Sequence, residues 1–147
     1  MHEPRDEAAV AAFIADVAGA AQPTLDGQHL NLGIESQGHV IGDVSLGLIS
    51  ATNSQADIGW VLNPAHQGQG YATEAANAML RVAFDDMAVH RVFAELDPRN
   101  ESSARLCERL GMRKEAHLRQ ESWFKGEWGD LAIYAILASE WSSRGSG

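Results

Sequence analysis

Val10, Phe13, Ile14 and Val17 recur at i, i+3, i+4 and i+7, the spacing of one helix face. They predict a helix from about Asp6 to Ala20 that Gly19 and Pro23 help to end. The period then changes. His29 to Glu35 and Val40 to Ile49 read as strands joined by the turn residues Ser36-Gln37-Gly38, a hairpin. A third strand, Asp57 to Leu62, follows the polar stretch Thr52-Asn53-Ser54-Gln55 and stops at Asn63-Pro64. Ala72, Ala75, Ala76, Met79, Val82 and Ala83 return to helical spacing and predict a helix reaching about Ala88. Arg91 to Asp97 is the next strand, so the strand, helix, strand order predicts a parallel crossover. Asn100 to Leu110 reads as a short helix with Ser103, Leu106, Cys107 and Leu110 on one face and Gly111 at its C-terminal cap. Two last strands, about Arg113 to Phe124 and Leu131 to Leu137, flank a loop over 125–130. Residues 1–141 are expected to form one domain, with 142–147 a flexible tail.

Composition narrows the class. Hydrophobic residues at 45% and charged residues at 21% are ordinary globular usage. The longest apolar runs, such as Leu131 to Ala138, are much shorter than the roughly 20 residues of a spanning helix, so no membrane partner is expected. A lone cysteine, Cys107, excludes an intramolecular disulfide framework and fits a reducing, cytoplasmic setting. Residues 1–90 hold 2 Lys/Arg against 11 Asp/Glu, whereas 91–147 hold 9 of each. This acid excess argues against a broad nucleic-acid face. The local cations Arg91, Arg99, Arg105, Arg109, Arg113, Lys114, Arg119 and Lys125 nevertheless offer positive charge to a small anion, or else ion pairs on a solvated face. His39, His90 and His117 are scattered without metal-ligand spacing, so no metal is expected.

The informative segment is Gln67-Gly68-Gln69-Gly70-Tyr71-Ala72-Thr73-Glu74, between a strand and a long helix. Such a junction offers unpaired N–H groups and the positive end of a helix dipole, and glycine lets a diphosphate approach closely. The dinucleotide fingerprint needs a third glycine where Thr73 stands, and no Gly-Lys-Ser/Thr of a Walker loop exists. A nicotinamide-dependent oxidoreductase is thereby disfavoured.

With Gln67, Gly70 and Ala72, this loop resembles the Gln/Arg-x-x-Gly-x-Gly/Ala coenzyme loop of the GNAT acetyltransferase superfamily. Asn100 to Met112 is similar to that family's Asn-x-x-Ser/Ala segment ending in Gly-Phe/Met. Gly111-Met112, Glu115, Arg119, Asp130, Tyr134 and Glu140-Trp141 resemble the branch that acetylates protein N-termini, including ribosomal proteins. The resemblance covers roughly residues 29–141 and implies an α/β (α+β) GNAT fold: a mixed, mostly antiparallel central sheet with helices on both faces. It implies an N-acetyltransferase that binds acetyl-coenzyme A, uses no metal, and transfers acetyl to a small-molecule or peptide amine by direct attack. Coenzyme contacts are then expected from Trp60, Val61 and Leu62, where a distortion opens the sheet, from Gln67 to Thr73, and from Asn100 and Ser103. For Asn100, helix capping is an equally good and compatible reading.

Three departures accompany the resemblance. Cys107 stands where many members carry a tyrosine that protonates the leaving thiolate, which makes Ser103, one turn earlier, the nearest hydroxyl. Cys107 itself reads as a buried small hydrophobe rather than an acetyl carrier. The family's first strand has no counterpart before the first helix, which implies homodimer contacts or an altered acceptor groove at the sheet edge. No base is compelling among Asp57, Glu95 and Asp97; Asp57, on the strand leading to the thioester, is the chosen candidate, and Asp97 more naturally shapes the turn before Pro98. The missing tyrosine and strand motivate an alternative, a catalytically weak coenzyme A binding or sensing module.

Overall fold

The computed structural model describes residues 23–36, 38–63 and 70–145. The expected helix over Asp6 to Ala20, the question of the missing first strand, and Gln67, Gly68 and Gln69 all lie outside the described residues. Six strands form one sheet in the order β1-β2-β3-β4-β6-β5. They are β1 (His29–Ser36), β2 (His39–Ser50), β3 (Gln55–Leu62), β4 (Arg91–Leu96), β5 (Arg113–Phe124) and β6 (Glu127–Leu137). Every pairing is antiparallel except β3 with β4, so the expected mixed, mostly antiparallel sheet is what the chain forms.

The crossover between β3 and β4 is α1 (Tyr71–Arg81). Its Ala72, Ala75, Ala76 and Met79 are buried, and the three alanines let the helix axis sit close to the sheet. The helix does not run regularly to Ala88 as the apolar spacing suggested. A π turn occupies Val82–Asp86, closed by Met87 N–H donating to Val82 C=O at 2.9 Å. The wider turn keeps Val82, Ala83 and Phe84 all buried. The second helix, α2 (Glu101–Arg109), buries Leu106 and Cys107, and Leu110 behind it is fully enclosed. Both helices pack on the sheet face that carries Val44, Leu46, Ile58, Val92 and Ile136.

Two expectations at the C-terminal end need correction. No loop spans 125–130. Phe124 pairs with Glu127, Trp123 with Trp128 and Ser122 with Gly129, so the strands continue to a two-residue turn at Lys125 and Gly126. Both turn residues have positive φ, 51° and 80°, which matches the twist of a tight hairpin, and the Trp123 and Trp128 rings pack edge to face at 5.3 Å. Nor is 142–145 a tail, because α3 (Ala138–Gly145) continues through it. The helix is anchored: the Trp141 ring stacks on Phe84 at 5.6 Å and its Nε1–H donates to Asp85 Oδ1 at 3.3 Å. Glu140 accepts from the Leu137 N–H at 2.9 Å and pairs with Arg113 at 3.2 Å.

Candidate active site

The parallel ladder between β3 and β4 has three rungs, Gln55↔Arg91, Ala56↔Val92 and Asp57↔Phe93, although the strands run on to Leu62 and Leu96. The sheet therefore opens into a notch from Ile58 onward. β3 keeps regular pairing with β2 from Ala56 to Leu62, so the opening is a parting of strands rather than a bulge in β3. Asn63 N–H donates to Ile41 C=O of β2 at 2.7 Å. Backbone direction alternates along a strand, so the N–H groups of Val61 and Gly59 also turn toward β2 while that of Trp60 turns into the notch.

At the mouth of the notch lies a cavity of about 330 Å³ lined by Trp60, Val61 and Leu62 of β3, by Gly70, Ala72 and Thr73 at the start of α1, and by α2. Gly70 is the N-cap of α1 and sits at φ 82°, a conformation for which glycine carries no Cβ penalty. No side chain caps this end. The first backbone bond of the helix is Glu74 N–H to Gly70 C=O at 2.9 Å, so the N–H groups of Ala72 and Thr73 precede it and border the cavity. Of the expected loop residues, Tyr71 departs: its side chain is buried in the core.

From α2 the cavity receives Asn100, Ser102, Ser103, Arg105, Leu106 and Arg109. Of the two readings of Asn100, helix capping is the one the structure shows. Its Oδ1 caps α2 by accepting from Ser103 N–H at 3.1 Å and Ser102 Oγ–H at 3.0 Å, and it also lines the cavity. Trp60 Nε1–H donates to Ser103 Oγ at 3.2 Å. Arg105 and Arg109 were legible only as members of a basic stretch; their i, i+4 spacing on one helix is what brings both residues to the cavity wall. The N-terminus of one helix and two basic residues of another thus share the cavity lining. Among the described residues, no three His, Cys, Asp or Glu side chains gather as a metal set, and no helix is long and apolar enough to cross a membrane.

The candidate acid–base groups separate. Cys107 is fully enclosed, and burial, reinforced by the neighbouring Glu108 charge, pushes its thiol up to about 12. Tyr134, also buried in the core and outside the cavity lining, is raised by burial and then by Cys107 and Glu108. Asp97 is taken up locally, accepting from Arg99 N–H at 2.9 Å and from Arg99 Nη2–H at 2.8 Å, and the Arg99 hydrogen bonds hold its carboxyl below the usual range. Asp57 and Glu95 face away from the helices, because Ala56, Ile58, Val92 and Ala94 on the same strands turn into the core. Asp57 occupies the last rung before the notch opens. It does not line the cavity, so the sheet separates it from Ser103.

The parted parallel strands, the start of α1 and polar groups on either side of the sheet thus meet at one notch. The acetyltransferase (GNAT) domain family matches residues 1–113, and the chain belongs to that family. The match extends ahead of residue 29, where the motif resemblance began. The chain is 43% identical over 86 residues to an uncharacterised N-acetyltransferase, YnaD, of Bacillus subtilis, a span of 58% of this chain and 51% of that protein. It is 29% identical over 112 residues to a putative ribosomal N-acetyltransferase, YdaF, of the same organism, over 76% of this chain and 61% of the other. The chain thus spans about half to three fifths of the length of these relatives. Among solved structures, a spermidine/spermine N-acetyltransferase of Vibrio cholerae, crystallised with manganese ions, superposes with a TM-score of 0.71 at 27% identity, over 79% of this chain and 69% of that one. A spermidine N-acetyltransferase from the same organism is described as dodecameric.

Proposed function

We propose that this chain is an N-acetyltransferase that moves an acetyl group from acetyl-coenzyme A to a primary amine by direct attack in a ternary complex. The observation that carries the reading is the three-rung β3–β4 ladder opening onto the uncapped start of α1. The cavity suits the coenzyme: Ala72 and Thr73 N–H groups with Arg105 and Arg109 would hold its phosphates, and the Trp60 N–H would meet the arm that carries the thioester. Bound there, acetyl-coenzyme A supplies the activated acyl group. Asp57 takes the proton of the ammonium, directly or through water; the amine lone pair then forms the C–N bond as the C–S bond breaks. The Ser103 hydroxyl delivers a proton to the leaving sulfur and recovers one from the amide being formed.

The acceptor reading is a cationic amine, either a polyamine or a peptide N-terminus, both of which fit relatives named for spermidine or for ribosomal substrates. The excess of 11 Asp/Glu over 2 Lys/Arg in residues 1–90 favours such a cation. A cytoplasmic location suits the unpaired Cys107, and self-association has its support in the dodecameric neighbour. A second reading, a weakly catalytic coenzyme A sensor, is favoured by one observation: the position of the family's tyrosine acid holds a buried Cys107. A panel of spermidine, alanyl peptides, amino acids and aminoglycosides, followed by release of free coenzyme A thiol, separates the two. Turnover with at least one amine supports the transferase; coenzyme binding without turnover supports the sensor.

A further inference from the structure

On the sheet face away from α1 and α2, four residues stand in one register row: His29 opposite Gly47, Gly47 opposite Asp57, and Asp57 opposite Phe93. The row ends on the last rung before the notch. Gly47 has no side chain, and its neighbours lean into the space thereby left. A Cβ built on Gly47 would lie 2.5 Å from Asp57 Oδ1 and 2.6 and 2.7 Å from His29 Cδ2 and Nε2, so the carboxylate and the ring edge occupy the place a side chain would take. Two polar atoms on β1 and β3, strands that are not adjacent, therefore converge on one point above β2. Among the described residues neither side chain has a hydrogen bond or ion pair. The gap between them is bordered by a carboxylate oxygen and an imidazole nitrogen, the setting of a bridging water.

We propose that His29 is the proton exit for Asp57, acting through a water held over Gly47. The inference rests on the reading of Asp57 as the base. Each turnover converts an ammonium and an acetyl thioester into an amide and a thiol and releases one proton. That proton passes from the ammonium to the Asp57 carboxylate, through the bridging water to His29 Nε2, and from the exposed imidazole to solvent. The second amine proton ends on the coenzyme sulfur. Imidazole suits the task because its charge changes within the physiological range and either ring nitrogen can carry the proton. Gly47 suits it because a Cβ there would push the carboxylate and the imidazole out of the positions from which one water reaches both. His29 is then a positioning and relay residue: it touches neither substrate, and its loss is felt through Asp57.

The test uses the whole chain with its best amine acceptor. His29→Ala is expected to lower kcat by about 10²-fold, as loss of an acid–base group typically does, leaving the amine KM and the coenzyme Kd unchanged. Adding imidazole to the assay should restore turnover in His29→Ala in proportion to its concentration and leave the unaltered enzyme unaffected. Gly47→Ala displaces only the ends of two side chains, so it should fold, share the kcat loss and resist rescue. The double variant should be no slower than the worse single one, because both remove one route. A kcat loss below about threefold in His29→Ala while Asp57→Asn is crippled, or a loss that imidazole does not relieve, overturns the relay and leaves the transferase reading intact. An unaltered chain that turns over no amine overturns both.

Discussion

The Trp60 indole donates to the Ser103 hydroxyl across 3.2 Å, tying the open edge of β3 to the first turn of α2. A hydroxyl that accepts from an indole has its oxygen fixed while its own O–H is free to point into the cavity.

This bond makes the role of Ser103 separable. Ser103→Ala should slow turnover by about 10²-fold if the hydroxyl protonates the leaving thiolate. Trp60→Phe keeps the ring and removes only the donor, so it should cost about fivefold, the worth of one neutral hydrogen bond of about 1 kcal/mol. Steady-state kinetics check both, and the double variant should match Ser103→Ala alone. Coenzyme affinity from calorimetry should move little in either.

The start of α1 can be tested through its backbone. Gly70→Val places a β-branched residue at φ 82°, a conformation that costs of the order of 1–3 kcal/mol, and puts a side chain into the cavity proposed to take the phosphates. Coenzyme binding by calorimetry should be lost in a chain that still melts cooperatively. Gly70→Asn, which tolerates left-handed geometry better, should bind more weakly than the unaltered chain but measurably.

Arg105 and Arg109 should contribute through charge. Arg105→Gln and Arg109→Gln are each expected to weaken coenzyme binding by about fivefold, a discounted value for exposed charge-assisted contacts. The slope of log Kd against log salt should flatten in the double variant. Dephospho-coenzyme A, lacking one phosphate, should lose less on substitution than the full coenzyme if either arginine serves that phosphate.

Cys107 gives a pH prediction with a definite sign. Its thiol rises from an ordinary 9.0 to about 12 in the folded chain, chiefly through burial. The folded state therefore holds its proton where the unfolded state releases it. The associated stability is complete below about pH 9 and is lost as pH rises toward 12. Tyr134 shifts in the same direction. Thermal melts between pH 8 and about 10.5 should fall, and Cys107→Ala should fall less steeply from a lower starting point, since a void replaces the sulfur. Bisubstrate kinetics should give intersecting lines, and mass spectrometry no acetylated Cys107, because a protonated enclosed thiol is not a nucleophile.

Legibility in the sequence followed the physics that sets each element. Period and turn chemistry sufficed for β1 to β4 and α2, where one face is buried and Asn100 and Gly111 punctuate the ends. They failed where tertiary contacts override local preference. The serines of α3 read as a tail, yet the Phe84 and Asp85 contacts of Trp141 hold that segment helical. Lys125 hid a hairpin turn because lysine seldom takes positive φ, and Trp123 and Trp128 supply the cross-strand pair that enforces it. Among the residues lining the cavity, Gly70, Trp60 to Leu62, Asn100 and Ser103 are expected from motif and order. Arg105 and Arg109 were visible only as charge, since which side of α2 faces the notch depends on packing. The meeting of His29 and Asp57 over Gly47 depends on register between three strands, for which one sequence carries no local signal.

The parted strands also give the molecule a built-in reporter. Along β3 the amides of Gly59 and Val61 lie in the ladder with β2 and should exchange their hydrogens slowly, whereas the Trp60 amide between them points into the notch with no β4 partner across from it. A mid-sheet residue flanked by protected neighbours should therefore exchange like a loop. Its protection factor rises when something in the notch accepts its hydrogen, so the exchange rate of one amide reads occupancy of the notch directly, with no chemical step required.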